Sequence, residues 1–310
     1  MKKKIAIAVD GSVNCTHAVR YAAAMSQTLP GLHYVLIHVE AALSQYLTDE
    51  AERSPKARRA LQRLMEANRE ASTQIIEKVQ QQMIRCGVEP DRIETRARIR
   101  MAGIAEDLLD ECQGKSYDAL VIGRRGITHL QELVTGSVTS NVVAYSDVTP
   151  VWMVDDEVPN SRVVLAADGS QNALRALDHL AFMLSGREDA AIHIIHVNPK
   201  LKDVCEIKFD DEAMAVAEEI LLDSDRHCID GFHEQAKEVI RKNGLDPGRL
   251  EIQTIKSRVS VAGAVIDAAR KGSFGSIVMG RRGLKKGKFT GSVSRKVLQK
   301  ATRMAVWVVP

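Results

Sequence analysis

GRRGITHLQELVTGS, Gly123 to Ser137, is written a second time, two residues shorter, as GRRGLKKGKFTGS from Gly280 to Ser292. The echo extends to the whole chain. IAIAVDGS (5–12) returns as VVLAADGS (163–170), and YVLIHV (34–39) as HIIHV (193–197). GVEPDRIE (87–94) returns as GLDPGRLE (244–251), and PVWMV (150–154) as AVWVV (305–309). The offset holds at roughly 155–160 residues throughout, the mark of a tandem duplication. The two copies read as domains 1–154 and 162–310, joined by the acidic, proline-containing linker DDEVPNS, 155–161.

Within each copy, Val/Ile-rich runs of four to seven residues alternate with amphipathic stretches. Runs without polar alternation fit parallel strands buried on both faces. Ser54 and Pro55 open a long helical segment with apolar Ala57, Leu61, Leu64, Met65, Ile75, Ile76, Val79 and Met83 at helical spacing, ending at Gly87. The alternation predicts an α/β doubly wound sheet made twice. PVWMV and AVWVV are apolar on both faces, a hazard on an open sheet edge. They are expected to pair with each other or with another chain, so a pseudo-dimer of the two halves and a homodimer both stand.

The bulk properties narrow the function. With 43 basic and 40 acidic residues the net charge is +3, too even for the clustered basic face that nucleic acid requires. MKKKIAIAVDGS opens on basic residues as a signal peptide does, yet its apolar run stops after five residues at Asp10 and reads as a first strand. No run approaches the roughly 18–20 apolar residues that cross a bilayer. The five cysteines are scattered without a CxxC pair. The expectation is a cytoplasmic protein with reduced thiols and neither nucleic-acid nor membrane partners.

Two polar motifs fall at strand ends, DGS after the first strand and GRRG…GS after the fourth, where doubly wound sheets bind ligands. Gly123 and Gly126 are placed where a chain turns sharply and lets a ligand approach. Ser137 reads as the N-cap of VTSNVVAYS, whose free amides would favour an anion. The same residues also suit a ligand-free α/β turn and cap, so both readings stand. Neither G-x-G-x-x-G nor a P-loop is present.

The pattern G-x2-G-x9-G-S in Gly123, Gly126, Gly136 and Ser137 resembles the ATP-binding signature of the universal stress protein family. An aspartate after the first strand (Asp10, Asp168), a second strand ending in His-Val and the closing PVWMV strand agree, and the resemblance covers nearly the whole chain. It implies five parallel strands per domain in the order 3-2-1-4-5, association through the fifth strand, and ATP with magnesium or manganese on its phosphates. It further implies a stress-response regulator with little or no catalysis. Asp10 would then lie near ribose or base, Val39 against the base, Gly123 and Gly126 along the ribose and phosphates, and Gly136, Ser137 and Val138 on the phosphates. Arg124 is a phosphate helper at most. The low aromatic content, 4%, suits a base packed on aliphatic side chains.

The same carry-over gives a second site of Asp168, Val197, Gly280, Gly283, Gly291 and Ser292. Its glycine gap is seven residues instead of nine, which puts that site in doubt, while Lys285, Lys286 and Lys288 add cations near it. His38 and His196, at the ends of second strands, suit a structural role better than a catalytic one. Cys205, His227, Cys228 and His233 match no zinc spacing. Three functions remain: an ATP-holding regulator with an unidentified protein partner, a slow ATPase or phosphotransferase on the same site, and a nucleotide-free docking scaffold.

Overall fold

The computed structural model describes residues 2–124, 137–201, 211–256, 260–282 and 291–310. The first half runs β1 (Lys3–Ala8), α1 (Val13–Met25), β2 (Leu32–Glu40), α2 (Gln45–Arg53), α3 (Pro55–Arg85), β3 (Ile93–Ile99), α4 (Ile104–Lys115), β4 (Ala119–Gly123), α5 (Ser137–Tyr145) and β5 (Val151–Val154). The second runs β6 (Val163–Ala167), α6 (Gln171–Leu184), β7 (Ile192–Asn198), α7 (Asp211–Lys242), β8 (Leu250–Lys256), α8 (Val261–Lys271), β9 (Ser276–Gly280), α9 (Ser292–Lys300) and β10 (Ala305–Val309).

The ten strands of the described residues form one sheet, ordered β3-β2-β1-β4-β5-β10-β9-β6-β7-β8. Each half is parallel and follows the order 3-2-1-4-5, as the family resemblance implies. The halves join where β5 and β10 pair antiparallel, Trp152 facing Trp307. The greasy closing strands thus cover each other. Helices α1, α3, α6 and α7 pack on one face of the sheet and α4, α5, α8 and α9 on the other.

Local chemistry explains the helix starts. Ser12 accepts from the Cys15 amide at 3.2 Å and Ser170 from the Ala173 amide at 3.2 Å, each capping the helix after its DGS turn. Gly11 and Gly169 hold φ of +73° and +77°, a conformation that a side chain would strain. Ser54 caps α3 through the Ala57 amide, with Pro55 in the first turn. Only the C-terminal part of α3 is core, through Ile76, Val79 and Met83. Leu64 and Met65 keep the helical spacing but are about half exposed, at 46% and 50%.

The join between halves is polar as well as apolar. Trp152 and Trp307 stack with ring centroids 3.8 Å apart and planes 4° from parallel. Trp307 Nε1 donates to the Tyr21 hydroxyl at 2.7 Å, and that hydroxyl meets Ser276 Oγ at 2.7 Å. Trp152 Nε1 donates to His179 Nε2 at 3.2 Å. Tyr21 on α1 and His179 on α6 therefore do the same task across the pseudo-two-fold, each holding the other half's tryptophan. His179 accepts at Nε2, so its ring is neutral. Burial pushes its pKa down to about 3 and pushes the Tyr21 hydroxyl up.

Candidate functional site

Strand order reverses between β1 and β4, and the crevice beyond their carboxyl ends is where this class of sheet holds ligands. In the first half a cavity of about 110 Å³ opens there. Its aliphatic wall comes from Ile37, Val39, Ile104, Leu108, Ile122 and Val138, and its polar rim from Asp10, Ser12, Asn14 and Thr139. The volume is of the order that admits one ring, below the roughly 300–1,000 Å³ of whole-ligand clefts.

Four of the residues expected from the sequence, Asp10, Val39, Gly123 and Val138, meet at this cavity. Asp10 is exposed and accepts from the Ser12 amide at 2.9 Å, which fixes its carboxylate at the rim. His38 also lines the cavity and is anchored through Nδ1 on the Val9 carbonyl at 2.7 Å. Cys15 lies in the wall, and burial pushes its thiol up, away from the thiolate form. Asn14, Cys15, Thr139, Ile104 and Leu108 were not singled out from the sequence. The first two follow from the Ser12 cap, which brings the first turn of α1 to the site.

Gly123 is a strand residue, and what it accommodates is a helix. A Cβ built on it would lie 2.4 Å from the Asn14 carbonyl oxygen, so the absent side chain lets α1 rest on β4. Helix α5 begins at Ser137, so its N-terminal amides point at the crevice. Thr139 Oγ1 ties that first turn back to the Gly123 carbonyl at 3.2 Å. Gly126, Gly136 and Gly283, and the lysines at 285, 286 and 288, lie outside the described residues, as does Cys205.

The second half makes different contacts at the same place. His196 matches His38, with Nδ1 on the Ala167 carbonyl at 3.0 Å. Its Nε2, however, meets Asp225 Oδ2 at 2.9 Å, and Asn198 Nδ2 donates to the same oxygen at 3.1 Å. Asp225 belongs to α7, which also brings Cys228 onto the DGS turn: a Cβ on Gly169 would lie 2.5 Å from its Sγ. On Gly11 a Cβ would meet nothing nearer than Ile75 at 3.6 Å. Val197 is buried where Val39 is partly open. Asp168 accepts from the Ser170 amide at 3.1 Å, and Gly280 is buried against Asn172. Gly291 is the cap residue of α9 and makes no side-chain bond, so Ser292 is an exposed first-turn residue.

The first arginine of each GRRG crosses the join. Arg124 is 3% exposed and donates from Nη2 to the Gln299 carbonyl at 2.7 Å and from Nη1 to that of Ala301 at 3.4 Å. Asp155 lies 3.7 Å away. Arg281 mirrors it, donating to the Ala144 carbonyl at 2.8 Å and pairing with Asp147. Guanidinium groups suit the free carbonyls and negative pole of a helix end. Arg124, expected as a phosphate helper, thus commits its guanidinium to the other half's helix. Among the described residues no cluster of three or more His, Cys, Asp or Glu is placed to hold a metal ion. Among them, too, no helix is long and apolar enough to cross a membrane.

A model of the universal stress protein family matches the chain twice, over residues 1–155 and 159–310. A universal stress protein of Mycolicibacterium smegmatis is 26% identical over 315 residues, 99% of this chain and 97% of that protein. Of solved structures, the chain is similar to a universal stress protein of Archaeoglobus fulgidus DSM 4304. The TM-score is 0.63 at 18% identity, over 99% of this chain and 97% of that one. It is also similar to a functionally unknown protein of Pseudomonas aeruginosa PAO1, with TM-score 0.52 at 15% identity, over 99% and 92%.

Proposed function

We propose that this chain, which belongs to the universal stress protein family, binds an adenine nucleotide in its first half and acts as a stress-response regulator. The observation that carries the reading is the convergence of Asp10, Val39, Gly123 and Val138 on one cavity at the strand-order reversal. Its aliphatic wall suits the faces of a base, and Asp10 at the rim suits ribose hydroxyls. The start of α5 offers backbone amides to phosphates, which bring magnesium or manganese with them. Closure of the matching place by Asp225 and Cys228 supports one nucleotide per chain.

Residues 1–154 and 162–310 are the two domains in this reading, since β5 ends at Val154 and β6 begins at Val163. Cys15, Cys86, Cys112 and Cys228 are free thiols, which supports a reducing compartment such as the cytoplasm.

Calorimetric titration of the nucleotide-free chain with Mg-ATP tests the proposal. One equivalent is expected, lost in Val39→Trp, whose indole fills the cavity while the domain still unfolds cooperatively. A wild-type chain that takes no nucleotide, or a Val39→Trp chain that binds as well as wild type, would overturn it.

A further inference from the structure

We infer that Arg281, in the second half, is a positioning residue for the nucleotide site of the first half, acting through helix α5. The inference rests on the nucleotide reading above, and its test is arranged so that the two can fail separately.

Helix α5 has nine residues, a rod of about 13 Å. Its first turn lies at the cavity, with Val138 and Thr139 in the wall. Its last turn lies at the far end of the sheet, because β5 and β10 run antiparallel and the two halves point their strand ends in opposite directions. There Arg281 Nη1 donates to the Ala144 carbonyl at 2.8 Å and its Nη2 pairs with Asp147 just beyond the helix. The guanidinium is almost wholly buried, its side chain 4% exposed. It also holds the exposed Asp147 carboxyl below the usual carboxylate range.

The helix is therefore tied at both ends by different halves. Thr139 fixes the start to β4 at 3.2 Å, and Arg281 fixes the end to the strand end of β9. A nine-residue helix is too short to be stable by itself, so the direction of its amides depends on the packing of its buried Val142 and Val143 and on both ties. Loss of the far tie frees the rod to tilt at the end that faces phosphates, while the aliphatic wall that faces the base comes mainly from β2, β4 and α4. Arg281 should accordingly matter for phosphate and little for base and ribose. A residue that merely held the fold together would weaken both alike.

The test compares ATP and adenosine as ligands of the full chain, by calorimetry, in wild type, Arg281→Ala, Arg281→Lys and Asp147→Asn. Arg281→Ala is expected to bind ATP about tenfold more weakly, within the usual range of coupling between sites, with adenosine affinity unchanged. Lysine keeps the charge but cannot span carbonyl and carboxylate together, so Arg281→Lys falls between. Unchanged ATP affinity in Arg281→Ala, or equal losses for ATP and adenosine, overturns the inference. If Arg281→Ala lacks a cooperative unfolding transition, Arg281→Lys and Asp147→Asn decide, with an ATP-selective loss of about threefold expected and equal losses refuting it. A wild-type chain that binds neither ligand overturns the nucleotide reading itself.

Discussion

Taking the chain from pH 8 to pH 5 should loosen the join between its halves through His179. The ring accepts a hydrogen bond from Trp152 Nε1, so a proton on Nε2 would set two donors against each other. Burial holds the folded pKa at about 3, against the ordinary imidazole value of 6.5. The folded ring resists the proton that the unfolded ring takes up, so this stability is fully present above pH 6.5. It is lost as pH falls through the window from 6.5 to 3. At pH 5 the loss comes to about 2 kcal/mol, from RT ln(1 + 10^1.5). Urea unfolding followed by tryptophan emission is a fitting assay, because the chain has two tryptophans and both sit in the join. His179→Gln retains an acceptor for Trp152 and does not titrate. Its loss of stability between pH 8 and pH 5 should be smaller than that of wild type by about 2 kcal/mol. Groups common to both proteins cancel in that comparison. Equal losses in the two proteins would refute the reasoning.

Tyr21→Phe leaves Trp307 Nε1 and the Ser276 hydroxyl, both in fully buried residues, without a partner. It should cost about 2–4 kcal/mol in chemical denaturation, and a cost below about 0.5 kcal/mol would mean the network is idle. Gly123→Ala drives a methyl onto the Asn14 backbone at 2.4 Å. It should cost about 2–3 kcal/mol and weaken nucleotide binding, read from the urea midpoint and from calorimetry. Asp225→Ala removes the acceptor shared by His196 and Asn198 and should cost about 1–3 kcal/mol. Combined with Cys228→Ala it should open the second half to a further equivalent of nucleotide, and a stoichiometry that stays at one would count against Asp225 and Cys228 as the closure.

Much of the fold was readable because it rests on local chemistry repeated twice. Val/Ile runs gave the strands, Ser12, Ser54 and Ser170 the helix starts, and the doubled PVWMV the pairing of closing strands. Helix α2 was missed, since QYLTDEAER carries one buried residue, Ala51, and hence no apolar stripe. Leu64 and Met65 have the spacing of core residues, yet spacing does not reveal how much of α3 the sheet covers. The family resemblance names Asp10, Val39, Gly123 and Val138, four residues that line one cavity. The partners of Arg124 were not legible because they are carbonyls 175 and 177 residues away, and backbone acceptors leave no trace in side-chain types. The same holds for Asp225 and Cys228: which turn of a 32-residue helix crosses a glycine turn depends on tertiary geometry.

Two separate chains joined through their closing strands would be identical copies, and every change to one crevice would be made in both. Here β5 and β10 belong to one polypeptide, tied through the short stretch between Val154 and Val163. The partner of each half is thus always its unlike sibling, at an effective concentration that dilution does not touch. Such an arrangement frees the halves to drift apart in sequence at their crevices while the tryptophan stack keeps them together. One crevice is free to keep its open cavity while the matching place in the other is spanned by an Asp225–His196 pair.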